Sequence, residues 1–551
     1  MHLQLDSDLN QLDRKANAYL LWPSIVDVSD MAAVEELAKT CHRLRSIVIQ
    51  ATRPYRLDLH HLGMRYIRSC ATPSMTLPEA RSALTHRAHR WRTMMPKSVD
   101  VSFFHDSAFD LVFSSDEILF RERGRVMISR ITGNQEEHFD NVEDEIISYD
   151  IDPIQNLVVV LQVGMQMHRT TNFPHVVGEV YLRIFAADTL TPHPHALTPC
   201  VDLGISTWEN ALIERGPKIM GRWCGVLYAQ EMEYFLSLTD WTNPQCTLRI
   251  YAVNHGIALD FLFITETIVL VLHYKKRSSD DALGPYNISA YQLDVASIGK
   301  SPRSDLILSL ALPTLHAHTE LSPNARLHAG GRLPNSLGDI VIDNKSRCFE
   351  QPDLTSSILF ISMSLSVPTA DAFWTFNVAV DLDGLCRLIK RNSPNQSMVP
   401  WSRWGPSIGR VFHSSLPSLN LIPRYGNVHG RRVSFAIPSH YHGEDSIWSS
   451  LDPFRYRLGV LDFNATTIVW AQALMRDGIP LPGDSSLVIE PSILDPDDLL
   501  AEKCESSLPY YRSYLENTHR PQGYGITEGY FFVHSVVPLD ADGRHLRTYH
   551  F

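Results

Sequence analysis

The chain has 551 residues, 44% of them hydrophobic and 20% charged, which is enough apolar material for a large core and excludes a disordered polypeptide. Its 49 basic and 61 acidic residues give a net charge of −12, which argues against nucleic-acid binding as the main function. No apolar run approaches the roughly 18 residues that span a bilayer, so no membrane association is expected.

The chain opens with MHLQLDSDLNQLDRK, which lacks the basic flank and apolar stretch of a signal peptide. From Ala33 to Gln50, apolar residues fall at Val34, Leu37, Cys41, Leu44 and Val48, one stripe of an amphipathic helix. Glu35 and Glu36 lie near its start and Arg43 and Arg45 near its end, as the helix dipole prefers, with Ser29 or Asp30 as the cap. RPYRLDLHHLGMRYI follows, a short helix built on Tyr55, Leu59 and Leu62. Then Thr76 and Glu79 form a capping-box pattern, after which Ala80, Leu84, Ala88 and Trp91 repeat at helical spacing. Three such helices enclose little core and must lean on each other, on the rest of the chain, or on a partner.

Beyond residue 98 the pattern changes to short strands separated by turn residues. Phe109–Phe113, Glu117–Arg121 and Arg125–Ser129 read as three strands joined by tight turns. LRIFAAD at Leu182 recurs as LRIYAVN at Leu248, with looser relatives at Ile288 and Phe376. Each follows a more uniformly apolar strand, at Leu157, Tyr234, Ile268 and Ser357. An all-apolar strand is buried on both faces and an alternating one has a wet face, so the pair reads as an inner strand followed by an outer one. Its spacing suits four-stranded propeller blades. Further blades are expected around GDIVIDN, NVHGRRVSFAI and RYRLGVLDFNATTIVW, and GYFFVHSVVPL with RTYHF would close the ring. The expectation is a mainly β protein with a small N-terminal α-helical region: a seven- or eight-bladed β-propeller without clear WD repeats, a pair of β-sandwiches being the runner-up. The domains are then 1–50, 51–98 and 99–551.

Motifs for catalysis are absent: the chain has no G-x-G-x-x-G after a strand, no phosphate-binding loop, no H-E-x-x-H and no G-x-S-x-G. Three H-x-H pairs occur, His193/His195, His316/His318 and His440/His442, of which the first lies among prolines as in a surface loop. His440/His442, with Glu444 and Asp445 nearby, is the best metal candidate, though an ordinary loop is the favoured reading. The acidic clusters at Glu143–Glu145 and Asp497–Asp498 read as solvated faces. No catalytic residue, metal or cofactor is expected. In WSRWGPSIGRVF, Trp401 and Trp404 precede a Gly-Pro turn; packing at a blade edge is the favoured role, partner binding the alternative, with Trp404 the one expected to be exposed. The eight cysteines form no C-x-x-C pair, so neither zinc nor thioredoxin-like chemistry is indicated. Reduced thiols in the cytoplasm or nucleus are the expectation, leaving the sequons at Asn287, Asn344, Asn395 and Asn464 unused.

VSDMAAVEELAKTCHRLRSIV resembles the second half of an F-box, in which an Asp-containing turn leads into an apolar helix ending in a run like Cys41–Arg45. YRLDLHHLGM and LPEARSALTHRAHRWRTM are similar to the linker helices of the expanded fungal F-box families. The pairing of DPIQNLVVVLQV with YLRIFAADTLTPHPHA, and of WSRWGPSIGRVF with NVHGRRVSF, fits their strand-rich C-terminal region. The Leu-Pro motif and first helix that usually open an F-box are missing, AYLLWPSIV being a weak substitute. The resemblance implies a non-catalytic substrate receptor of an SCF-type cullin–RING ubiquitin ligase. A Skp-type adaptor would be held by Ile25, Val26, Met31, Val34, Leu37, Cys41 and Leu44, and an unknown target protein by the β domain. The alternatives are a propeller interaction scaffold that binds no adaptor and, third, a propeller hydrolase or lyase with acids or histidines converging on its channel.

Overall fold

The computed structural model describes the backbone from His42 to His550 except at 62–63, 66–75 and stretches between strands, the longest being 275–285, 330–350, 415–427 and 439–454. The side chains of 101–145 are among those outside the description. Two helices come first, α1 (His42–His61) and α2 (Leu77–Thr93). Seven antiparallel sheets of four or five strands then follow one another among the described residues. We number them as blades 1 to 7, spanning 108–138, 145–206, 212–251, 257–311, 320–414, 428–519 and 521–550.

Successive blades touch through their inner strands. Ala108–Ser114 contacts Glu145–Asp152, which contacts Leu212–Met220. Ile257–Thr265, Arg326–Ala329, Val428–His429 and Pro521–Ile526 continue the series. The last blade takes its outer strand from the other end of the chain: Ser98–Phe104 pairs antiparallel with Arg544–His550, from Ser98 opposite His550 to Phe104 opposite Arg544. The chain then runs from that outer strand into the inner strand of blade 1, the same step it makes between other neighbouring blades. Among the described residues the fold is therefore mainly β and propeller-like, with seven blades, the last completed by the strand Ser98–Phe104.

Alternating residues place one face of each blade against its predecessor and the other against its successor. Leu157, Val159, Leu161 and Val163 pack with Val226, Tyr228 and Trp241 of blade 3, while Ile358, Phe360 and Ala379 pack with Val433 and Phe435 of blade 6. A Cβ on Gly225 would stand 2.6 Å from the Phe261 ring, so blades 3 and 4 approach there as closely as glycine permits.

Backbone amides on one inner strand are also capped by carboxylates on the preceding one. Asp150 accepts the Ile151 amide at 2.9 Å and, across the blade boundary, the Ile219 amide at 2.8 Å. Asp260 repeats the device, accepting the Phe261 amide at 2.8 Å and the Leu327 amide at 2.7 Å. Lys218 of blade 3 donates to Asp260 Oδ1 at 2.7 Å and to the Phe261 carbonyl. Arg215 reaches the Ala325 carbonyl at 2.9 Å. These contacts tie blades 2 to 3 and 3 to 4 and 5 with charge-assisted bonds.

Several local expectations change. The first two helices are, over the described residues, one: α1 continues through Pro54. The proline forfeits one hydrogen bond, but Val48, Thr52 and Tyr55 are buried on one face and hold the two halves in line. LRIFAAD lies in the third strand of blade 2 and LRIYAVN in the fourth strand of blade 3, so they are not equivalent positions. The uniformly apolar strands are second or third in their blades, not innermost, because sandwiching between neighbouring blades buries both faces of a middle strand. The second half of RYRLGVLDFNATTIVW is a helix, and GDIVIDN lies outside the described residues.

His328, on the inner strand of blade 5, has a fully enclosed Nε2 with no hydrogen-bond partner. Loss of hydration, together with the positive charges of Lys218 and Arg215 and against the pull of Asp260, brings its pKa down to about 4. The folded protein thus keeps His328 neutral where the unfolded chain, with its ordinary value near 6.5, takes up a proton. Its contribution to stability is complete above pH 6.5 and is lost as pH falls towards 4. We expect His328→Gln to reduce the loss of stability across that window, measured by denaturant unfolding at a series of pH values. An unchanged pH slope would show that His328 is not the group responsible.

Candidate functional site

The polar and aromatic groups of greatest interest cluster where the helices meet the propeller. α2 begins with the expected capping box: the Thr76 amide donates to Glu79 at 2.7 Å and the Thr76 hydroxyl at 2.8 Å, the amide contact lowering the Glu79 pKa first and the hydroxyl next. Its buried side is Leu77, Ala80, Leu84, Ala88 and Trp91, as the spacing predicts. Trp91 and Met94 enter a core made by Leu458 and Val460 of blade 6 with Phe531, Val533 and Tyr549 of blade 7.

A polar frame surrounds that plug. The Arg432 guanidinium lies 5.0 Å from the Trp91 ring and is paired with Asp462 at 3.2 Å. Asp462 also accepts the Thr467 hydroxyl at 3.0 Å and the Asn464 amide at 2.9 Å. Asn464 is the N-cap and Thr467 a residue of the helix α5 (Ala465–Arg476), which follows α3 (Leu382–Arg391) and α4 (Trp401–Ile408). Arg92 lies 5.5 Å from the Trp470 ring of α5, and its backbone carbonyl accepts the Tyr511 hydroxyl at 3.1 Å. Burial lowers the Arg92 pKa without neutralising it. Neither Asp462 nor Arg432 was visible as a partner for the helical segment in sequence, since each lies more than 330 residues from Trp91 along the chain.

The adaptor-facing residues expected from sequence divide as follows. Ile25, Val26, Met31, Val34, Leu37 and Cys41 lie outside the described residues, and Leu44 is in α1 with its side chain outside the description. The stripe continues as Val48, Thr52 and Tyr55, all buried, on a helix that packs against α2.

Trp401 and Trp404 are placed differently from the binding alternative. The stretch is the helix α4 rather than a turn, and Trp404 is 1% exposed. Its Nε1 donates to the Ala311 carbonyl at 2.9 Å, and Trp401 Nε1 donates to the Glu505 carbonyl at 3.1 Å. The rings meet edge-on at 4.8 Å, and a Cβ on Gly405 would stand 2.1 Å from the Trp401 ring. Small neighbours let both indoles enter the core of blades 3 to 5, so the exposure expected of Trp404 is not found.

His193 is also buried rather than on a loop surface. Its Nε2 is 3.1 Å from the Gln155 carbonyl, its Nδ1 accepts the His195 amide at 3.2 Å, and its ring meets Trp241 edge-on. Both nitrogens are engaged in holding the loop. His440, His442, Asp497 and Asp498 lie outside the described residues. Among the described residues no three His, Cys, Asp or Glu side chains gather as a metal site would need. Asp260, the most enclosed carboxylate of the inner strands, has both oxygens occupied by amides and Lys218.

No family model matches the sequence, and no curated protein matches it. Among solved structures, the tricorn protease aligns with a TM-score of 0.30 and 11% identity over 67% of this chain, which spans 30% of that one. A chain from the S. cerevisiae assembly of a Dbp5 variant with Nup159, a Gle1 variant, IP6 and ADP aligns at 0.26 and 9%, over 82% of this chain and 91% of that one. Drosophila Semaphorin 2a aligns at 0.28 and 10%, over 83% and 76%. Likenesses this slight bear on no activity or partner.

Trp91→Ala removes the side chain that anchors α2 between blades 6 and 7. We expect a loss of about 3–5 kcal/mol in unfolding free energy and faster proteolytic cleavage within 76–97 while the blades remain intact, measured by denaturant unfolding and limited proteolysis. Unchanged cleavage would mean that the polar frame anchors the helix without the indole.

Proposed function

We propose that the chain is a non-catalytic substrate receptor of an SCF-type ubiquitin ligase, its N-terminal helices docking on a Skp-type adaptor and its propeller holding a target protein. The observation that carries this reading is the anchoring of α2 by Trp91, Arg92 and Tyr511. A receptor acts by proximity: it must hold its target at a defined place relative to an enzyme bound elsewhere, and a fixed arm does this better than a loose one. The F-box-like run ending at Arg45 overlaps the start of α1, and α1 packs on α2, so the run is continuous with the anchored arm. Adaptor contact would fall to Ile25, Val26, Met31, Val34, Leu37, Cys41 and Leu44.

A scaffold that binds no adaptor is the second reading, favoured by one observation. The continuation of the stripe at Val48, Thr52 and Tyr55 is already covered by the chain itself.

Co-purification of the full chain with a Skp-type adaptor separates the two. A Leu37→Asp, Leu44→Asp double variant places carboxylates where apolar side chains would be buried, costing several kcal/mol. Capture by the wild type that falls at least a hundredfold in the variant, with an unchanged circular dichroism spectrum, is the result expected of a receptor. A folded wild type that captures no adaptor at micromolar concentration would leave the scaffold.

A further inference from the structure

The charge of this acidic chain is unevenly distributed. Residues 42–97 hold eleven Lys and Arg against two Asp and Glu, a net charge of +9. Winding from the flank of the buried face of α1 to its far side, Arg45, Ile49, Arg53 and Leu57 follow one another at steps of four, all exposed, Ile49 at 41% and Leu57 at 45%. Guanidinium and aliphatic side chains thus alternate along about 18 Å of helix, at 1.5 Å per residue. Phosphates would use the arginines but not the aliphatic residues between them. The stripe fits a protein surface that is apolar and acidic.

The same chain carries such a surface. Between the strands Arg455–Asp462 and Tyr510–His519, blade 6 contains an insertion of α5, an edge strand and the hairpin of Ser492–Leu494 with Cys504–Ser506. Residues 477–505 hold eight carboxylates and one lysine. In the hairpin Ile493, 52% exposed, stands opposite exposed Glu505, and exposed Ile489 and Glu490 immediately precede it. The insertion is held down by Leu499 and Leu500, both fully buried, and by the Trp401 bond to the Glu505 carbonyl, so the patch is presented on a fixed support.

We propose that these two surfaces are the halves of a homodimer interface. The Arg45–Ile49–Arg53–Leu57 stripe of one protomer packs on the Ile489, Glu490, Ile493 and Glu505 patch of a second copy, and the reverse contact is made by symmetry. Both surfaces are exposed within one chain, so neither covers the other there. A twofold arrangement uses each pair twice and doubles the buried area. Opposite charges set the pairing and its salt dependence, while the aliphatic residues supply the area. The adaptor reading is not required, and the test involves no adaptor.

Sedimentation of the full chain at tens of micromolar tests it. The wild type is expected to be a dimer in low salt and to dissociate as salt rises. Arg45→Glu with Arg53→Glu, and separately Glu490→Lys with Glu505→Lys, should each weaken dimerisation at least tenfold, because each places like charges opposite one another. An equimolar mixture of the two variants should dimerise again, since both contacts in the mixed pair are complementary. Thermal unfolding midpoints near that of the wild type establish that the variants are folded. A monomeric wild type, dimers that persist in either variant, or folded variants that fail to rescue one another would each overturn the interface.

Discussion

Pairing of Ser98–Phe104 with Arg544–His550 is the contact on which the rest of the molecule depends. Without it the last blade lacks its outer strand and the two ends of the propeller sequence are not joined. It is made between segments more than 430 residues apart, yet loop-closure entropy rises only by about 0.6 kcal/mol for each doubling of length. A seven-residue ladder with Phe531 and Tyr549 behind it offsets that cost. The Lys97 amide donates to the His550 carbonyl at 2.6 Å, so the end of the helical arm is fastened by the same ladder that closes the ring.

Between blades the packing is apolar, but its register is set by polar groups. Asp150 and Asp260 each use one oxygen on their own strand and the other on the strand of the next blade. A shift of one residue would leave a buried carboxylate and a buried amide unpaired, at far greater cost than a displaced methyl group. Gly225 and Gly405 act by the opposite means, removing a Cβ so that the Phe261 and Trp401 rings can occupy the space. Together these contacts give the blades one arrangement rather than several of similar energy.

The arm and the blade 6 insertion meet around Asp462. Arg432, Asn464 and Thr467 converge on this carboxylate, and Arg432 and Arg92 cover the Trp91 and Trp470 rings. These contacts fasten the arm to blades 6 and 7. The exposed stripe of α1 and the exposed patch on the insertion, where Lys503 lies 3.7 Å from Glu505, are outside this junction.

Much of this was legible from the sequence. The change from helical to strand periodicity near residue 98, the capping box at Thr76 and the buried face ending in Trp91 are set by neighbours a few residues apart, and they appear where the pattern places them. Position within a blade was not legible, since alternation reports which faces are covered, and Leu182 and Ile184 are buried as Leu248 and Ile250 are, in different strands of their blades. Nor was the burial of Trp404 and His193. Whether an indole or imidazole is enclosed depends on an acceptor such as the Ala311 or Gln155 carbonyl, brought there by distant parts of the chain. GYFFVHSVVPL and RTYHF are legible as the strands that close the ring, but their partner Ser98–Phe104, the carboxylates shared between blades and the Asp462 junction belong to the tertiary structure alone. Each joins groups that no local pattern relates, and only the completed ring brings them within hydrogen-bonding distance.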